Sequence, residues 1–342
     1  MTDYAFAKGY TRLQTIDMHT GGEPLRIVLE GYPALEGKRI LDIRQELLQK
    51  HDHLRKALMW EPRGHADMYG LLKVPAERED SDFGVLFIHN EGYSTMCGHA
   101  TIAIAKAAVM LGWVNPTPPL TTLKIDAPCG QLTAYVHHHP DGSVREVSFE
   151  NVPSFFVGSY TVDIPEVGTI AYDLAYGGAF YAYLDVAQVG LKCTPDHYPE
   201  LIRWGQQIKQ AVSKTNPEIR HPFEKELGFL YGTIFIDNSD KEGIHSRNVC
   251  VFAEGEVDRC STGSGVSGRS AIHYRKGELA KDQSITIESI IGSTLEVKVI
   301  REETYGQHRA VIPLVTGNAH FMGRHEFWID PEDPLRDGFF LR

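Results

Sequence analysis

The sequence is short of cysteine. Five are spread over 342 residues, at 97, 129, 193, 250 and 260, an odd number without a C-x-x-C pair. That excludes a fully paired disulfide framework and a zinc ribbon, and it fits a reducing cytoplasm. Long apolar runs are missing as well: nothing approaches the roughly 18 residues of a spanning helix, so no membrane partner is expected. The opening MTDYAFAKGY has neither the charged nor the apolar region of a secretory leader. Positive charge is in deficit, 34 Lys and Arg against 45 Asp and Glu, for a net charge of −11. The basic residues are scattered, which disfavours nucleic acid and anionic membranes as partners. What is present is a globular composition, 42% hydrophobic and 23% charged, on a chain long enough for two domains of about 150–170 residues.

The chain repeats itself in four places, in the same order. An acid followed by paired glycines occurs as Asp17…Gly21-Gly22 and again as Asp173…Gly177-Gly178. An amphipathic helix follows in each half, predicted over 40–58 and 198–212 from apolar residues at three- and four-residue steps. A Tyr-Gly pair then enters a strand, Tyr69-Gly70 and Tyr231-Gly232. Last, a small-residue motif opens a helix: MCGHATIAIAKAAVMLG at 96–112 and STGSGVSGRSAIHYRKG at 261–277, which sets Cys97 against Thr262. Four matches in register indicate a duplicated domain. Between them the signals are strands, including a hairpin around Pro140-Asp141-Gly142. The class is therefore α+β. The expected lobes are 1–160 and 161–321, with about 322–342 returning to the first.

The two helix-opening motifs carry the chemistry. A helix N-terminus presents unpaired N–H groups and partial positive charge, and glycine lets a ligand approach it closely. Two such termini brought together make a cradle for a carboxylate. Cys97 at one of them is expected to have a lowered pKa and thiolate character; the bland alternative is a buried cysteine capping a packed helix. GSGVSG at 263–268, with Glu288 downstream, also fits G-x-G-x-x-G. The polar residues before it and the lack of βαβ alternation after it argue against a dinucleotide site. His137-His138-His139 reads as a solvated hairpin shoulder rather than a metal site, since neighbouring strand residues face opposite ways. Cys129 and Cys250 sit in apolar strand contexts, and Cys193 lies in a loop. In EPRGHADMYG (61–70), Arg63, His65 and Asp67 either line a cleft or satisfy a turn.

DMHTGGEPLRI (17–27), EPRGHADMYG (61–70), MCGHATIA (96–103) and VDRCSTGSGVSGR (257–269) together resemble the proline racemase family over most of the chain. The resemblance implies a diaminopimelate-epimerase-like fold. Two pseudo-symmetric lobes, each a barrel-like sheet around a central helix, close on a small imino acid. It implies that Cys97 is a catalytic cysteine, that Gly98, His99, Gly263 and Ser264 hold the substrate carboxylate and ring, and that Asp258 meets the ring nitrogen. Racemases of the family usually read D-R-S-P-C-G-T-G, with a second catalytic cysteine before the glycine. Here that position is Thr262, as in the branch that dehydrates trans-3-hydroxy-L-proline, while Cys260-Ser261 replaces Ser-Pro.

Racemisation needs a proton acceptor and a proton donor on opposite faces of Cα. A thiol can serve; a threonine hydroxyl cannot act as a comparable base, although it can hydrogen-bond. With Cys97 as its one base, the site suits β-elimination. Cys97 takes the α-proton, N–H groups after residues 97 and 262 stabilise the developing charge, and the 3-hydroxyl leaves as water. Thr262, an ordered water or His99 could assist that departure. Cys260, two residues from Thr262 in an extended segment, should face away from the substrate. The expected activity is dehydration to Δ1-pyrroline-2-carboxylate without cofactor or metal. The alternatives are a racemase or 4-hydroxyproline 2-epimerase using a second thiol, and a non-catalytic imino-acid binding protein.

Overall fold

The computed structural model describes residues 8–341. The hairpin Thr11–Thr20/Glu23–Glu30 continues into Tyr69–Val74, parallel to the second strand, and then into antiparallel Phe83–His89. The same pattern recurs as Gly168–Tyr176/Phe180–Asp185, parallel Leu230–Asp237 and antiparallel Ser246–Phe252. Parallel neighbours need a crossover. In the first half it is α1 (Ile40–Glu46), running through a π-type turn (Leu47–His51) into α2 (Asp52–Met59). One apolar stripe, including Ile40, Ile43, Leu47, Leu54 and Leu58, is buried beneath it. In the second half α4 (Tyr198–Thr215) buries Leu201, Trp204, Ile208 and Val212 in the same way.

Each half ends in a three-strand meander, Leu120–Ala127/Gly130–His138/Val144–Glu150 and Ser284–Glu288/Thr294–Tyr305/His308–Gly317. A further strand follows each meander. Phe155–Ile164 pairs with Gly168–Tyr176, whereas Ala319–Ile329 returns to Thr11–Thr20. The expected division at residue 160 thus falls inside a strand that pairs with the second half, and the returning strand starts at Ala319.

Two helices differ from the rest. α3 (Gly98–Met110) is buried on every side from Gly98 to Val109, and α5 (Gly263–Lys276) from Gly263 to Ile272. Their sequences allow this in different ways. GHATIAIAKAAVM is apolar all round, as a central helix must be, and its Lys106 reaches Asn318 Oδ1 at 3.0 Å and Ala319 O at 2.7 Å, tying the helix to the returning strand. α5 is built of small residues: a Cβ at Gly268 would stand 2.2 Å from the Tyr183 hydroxyl. Its buried Arg269 bonds Ser246 Oγ and Asn248 Oδ1 at 2.7 and 2.8 Å. GSGVSG therefore opens a core helix. Glu288 is not a ribose ligand in waiting but a buried carboxylate held by Ser239, Arg247 and Lys241.

Candidate active site

The N-termini of α3 and α5 meet head to head. A Cβ added to Gly98 would lie 2.5 Å from Gly263 Cα, and one added to Gly263 would lie 2.5 Å from Gly98 Cα. Only glycine on both sides permits that approach. Thr95 Oγ1 and Asn151 Nδ2 donate to Gly178 O and Gly177 O at 2.8 and 2.7 Å, locking the halves together behind the contact.

Around it is a tight cleft of about 20 Å³, room for about one water molecule. Cys97, Gly98, His99, Asp258, Thr262, Gly263 and Ser264, all seven residues singled out from the sequence, line it. Tyr69, Met96, Tyr181, Tyr231 and Phe252 complete the wall and were missed. Two of them, Tyr69 and Tyr231, are the duplicated Tyr-Gly pair, so the repeat carried a signal for them. Tyr231 and Phe252 stack at 5.3 Å, Tyr69 meets the His99 ring edge-on at 4.8 Å, and Tyr181 exchanges a hydrogen bond with Ser264 Oγ at 2.8 Å. Burial raises the pKa of all three tyrosines, which stay neutral.

The two helix starts are not equivalent. Cys97 caps α3 in an extended conformation (φ −146°), with Sγ accepting from Ala100 N at 3.4 Å and lying 3.1 Å from His99 Nδ1. Thr262 precedes α5 at φ 67°, left-handed backbone that a β-branched residue seldom adopts. Its hydroxyl is buried without a well-formed hydrogen bond. Cys97 is the one thiol lining the cleft among the described residues.

The expected lowering of the Cys97 pKa is not what the closed cleft produces. Burial pushes the thiol well above its ordinary value, and the opposing Ala100 N–H and Tyr69 hydroxyl do not overcome it; Asp258 and Glu23 raise it further. The helix terminus supplies the predicted stabilisation, but desolvation and two nearby acids outweigh it. His99 moves the other way, down to about 4 through burial, and is a neutral imidazole. No preformed thiolate–imidazolium pair exists here.

Cys260 does not line the cleft. It lies just behind it, with Sγ accepting from Thr262 N at 3.3 Å and its own N–H donating to Asp258 Oδ1 at 2.8 Å. Arg63 satisfies a turn through Ala57 O at 2.8 Å, and His65 contacts Ala66 O. Asp67 instead bridges the halves, accepting from Arg259 Nη1 and from the Tyr198 hydroxyl at 2.8 Å. Glu23 bridges them too, accepting from Arg259 N at 2.6 Å. The histidine run is not simply a solvated shoulder. Strand alternation turns His138 inward, where it bonds Thr121 Oγ1 at 2.8 Å and Gly142 O at 3.0 Å.

Residues 15–340 match the proline racemase family. The chain belongs to that family. It is 49% identical over 336 residues to the trans-3-hydroxy-L-proline dehydratase of Colwellia psychrerythraea, covering 98% of this chain and 94% of that one. To the 3-hydroxyproline 2-epimerase of Burkholderia multivorans it is 46% identical over 332 residues, covering 96% and 98%. The crystal structure of a hydroxyproline epimerase from Agrobacterium vitis with bound trans-4-hydroxy-L-proline superposes with a TM-score of 0.90 at 28% identity, covering 97% of this chain and 96% of that one. This family member therefore has the two-lobed diaminopimelate-epimerase-like α+β fold, with a buried helix at the centre of each lobe. Among the described residues no helix is long and apolar enough to cross a membrane.

Proposed function

We propose that this chain dehydrates trans-3-hydroxy-L-proline to Δ1-pyrroline-2-carboxylate, as a cytoplasmic hydro-lyase. The observation that carries the proposal is the asymmetry across the Gly98–Gly263 contact: a thiol at residue 97 and a buried hydroxyl at residue 262. The substrate carboxylate sits on the paired helix termini, where unsatisfied N–H groups converge. Its ring ammonium meets Asp258. That cation is also what the resting thiol lacks, since a positive charge within a few ångströms favours the ionised form. Substrate binding therefore supplies what the empty cleft withholds from Cys97.

Cys97 Sγ removes the α-proton. The electron pair moves toward the carboxylate, is held by the helix-terminal N–H groups, and then expels the 3-hydroxyl, which in the trans isomer lies on the same face as the α-hydrogen, takes the proton back from the Cys97 thiol and leaves as water. The enamine tautomerises to the pyrroline. Thr262 meets the opposite face of the ring, where its hydroxyl offers no second base. Every step up to the loss of water is assigned to a protein group, so the proposal uses neither metal nor cofactor.

A second reading, 2-epimerisation of a 3-hydroxyproline, is favoured by the name of the Burkholderia multivorans relative. It requires a proton donor opposite Cys97, where this chain has Thr262. One assay separates the two. Incubation with trans-3-hydroxy-L-proline, trans-4-hydroxy-L-proline and L-proline, following pyrroline and optical rotation separately, is expected to give pyrroline from the first substrate alone. Inversion of any of the three without pyrroline would overturn the proposal.

A further inference from the structure

At the cleft wall His99 and Asp258, with Cys260 just behind them, each offer a ligand atom, and these atoms all lie within 4.8 Å of one another. All three residues are buried. Nothing in the proposed reaction uses Cys260. The surroundings are short of positive charge: Glu23 is fully buried beside Asp258 with Oε1 unpartnered, and the neighbouring Arg259 turns its guanidinium onto Asp67 and Val257 O. An imidazole, a carboxylate and a thiol gathered without a cation are the donor set of a zinc-type ion.

We infer that His99, Asp258 and Cys260 form a binding site for a thiophilic divalent cation, and that the ion, once bound, excludes substrate. In a tetrahedral site with metal–ligand bonds of about 2.0–2.3 Å, neighbouring donor atoms lie roughly 3.3–3.7 Å apart. The cluster must contract by about 1 Å, within the reach of side-chain rotation at Asp258 and Cys260. The fourth position opens toward Cys97, whose Sγ is 3.1 Å from His99 Nδ1. Binding converts the Cys260 thiol to a thiolate and releases its proton to solvent, so affinity rises with pH. The exclusion of substrate rests on the proposed function, because it places the ion where Asp258 would take the ring ammonium. The binding itself does not.

The test separates these. Chelator-treated protein is titrated with Co²⁺ and then Zn²⁺. The expected result is uptake of one ion per chain, with a thiolate-to-cobalt charge-transfer band that Zn²⁺ displaces and chelator removes. Cys260→Ser should lose the band and weaken Zn²⁺ by at least about tenfold, because loss of a direct ligand exceeds the roughly 10–100-fold typical of an outer partner, while keeping most dehydration activity. Asp258→Asn, which retains the thiols and the imidazole, should weaken Zn²⁺ similarly and guards against a misfolded Cys260→Ser. No uptake, or a band and affinity unchanged in either variant, overturns the site. Binding that leaves turnover untouched overturns the exclusion of substrate alone.

Discussion

Replacing Gly98 by alanine tests whether the head-to-head contact of α3 and α5 assembles the site. The new Cβ would stand 2.5 Å from Gly263 Cα and 3.1 Å from Gly263 C. Carbon atoms rest about 3.5–4.0 Å apart, so the two helix starts must separate by about 1 Å. They cannot yield by a rotamer change, because the obstructing atoms are backbone. Overpacking of this kind costs about 1–3 kcal/mol of stability. Activity should suffer more, since a 1 Å misplacement of reacting groups can cost about 10²-fold. Pyrroline formation and a denaturant melt measure both. Gly263→Ala strains the same contact from the other side, so it should lose a similar factor, and the double variant should fall well short of additivity. Gly92→Ala, which meets nothing within 4 Å, is the control. Turnover of Gly98→Ala within about threefold of wild type would refute the view that this spacing governs catalysis.

Cys97→Ser should abolish dehydration while Cys260→Ser keeps most of it; the reverse pattern in the pyrroline assay removes Cys97 as the base. Thr262→Cys should gain some α-proton exchange, read by mass spectrometry in deuterated water, because it places a second thiol opposite the first; no exchange would mean that face cannot deliver a proton. His99 is 3% exposed with its pKa lowered from 6.5 to about 4 by burial. The neutral form is the one the fold accommodates, so its contribution is present above pH 6.5 and is lost as pH falls toward 4. At about 1.4 kcal/mol per unit that is about 3 kcal/mol. Urea melts at pH 7 and 4 should show this loss in wild type and a smaller one in His99→Gln; equal losses would mean that His99 is not held neutral.

The duplicated motifs made the two-lobed architecture and the two helix starts at residues 97 and 262 readable from sequence, because each motif is short and tied to one local geometry, whereas the parts given to Gly98, His99, Asp258, Gly263 and Ser264 came from the family resemblance. The aromatic wall was not readable in the same way. Tyr181 and Phe252 lie on strands whose buried neighbours are equally apolar, and only the three-dimensional meeting of the halves tells cleft from core. The pKa of Cys97 escaped for a related reason. The helix terminus that lowers it is local and visible in MCGHA, while the desolvation and the acids Asp258 and Glu23 that raise it come from elsewhere in the chain. The pairing of Ala319–Ile329 with the first strand is long-range, and periodicity does not encode it.

Thr262 concentrates what distinguishes the two halves. A β-branched residue at φ 67° carries strain of about 1–3 kcal/mol. Its buried hydroxyl without a well-formed hydrogen bond adds about 1–3 kcal/mol. Thr262→Gly relieves both. Against this stand the lost burial of two carbon atoms, about 1.6 kcal/mol, and the extra freedom of glycine in the unfolded chain, about 0.5–1 kcal/mol. The balance favours the variant, so it should be more stable than wild type by about 1 kcal/mol while dehydrating poorly, because the ring loses the side chain that seats it against Cys97. A residue that destabilises the fold and sustains the reaction is held there for the reaction. Denaturant melts and pyrroline formation on the same preparation decide the point. A variant less stable than wild type would show that the protein tolerates this backbone without strain, and full activity would show that the Thr262 side chain does not seat the substrate.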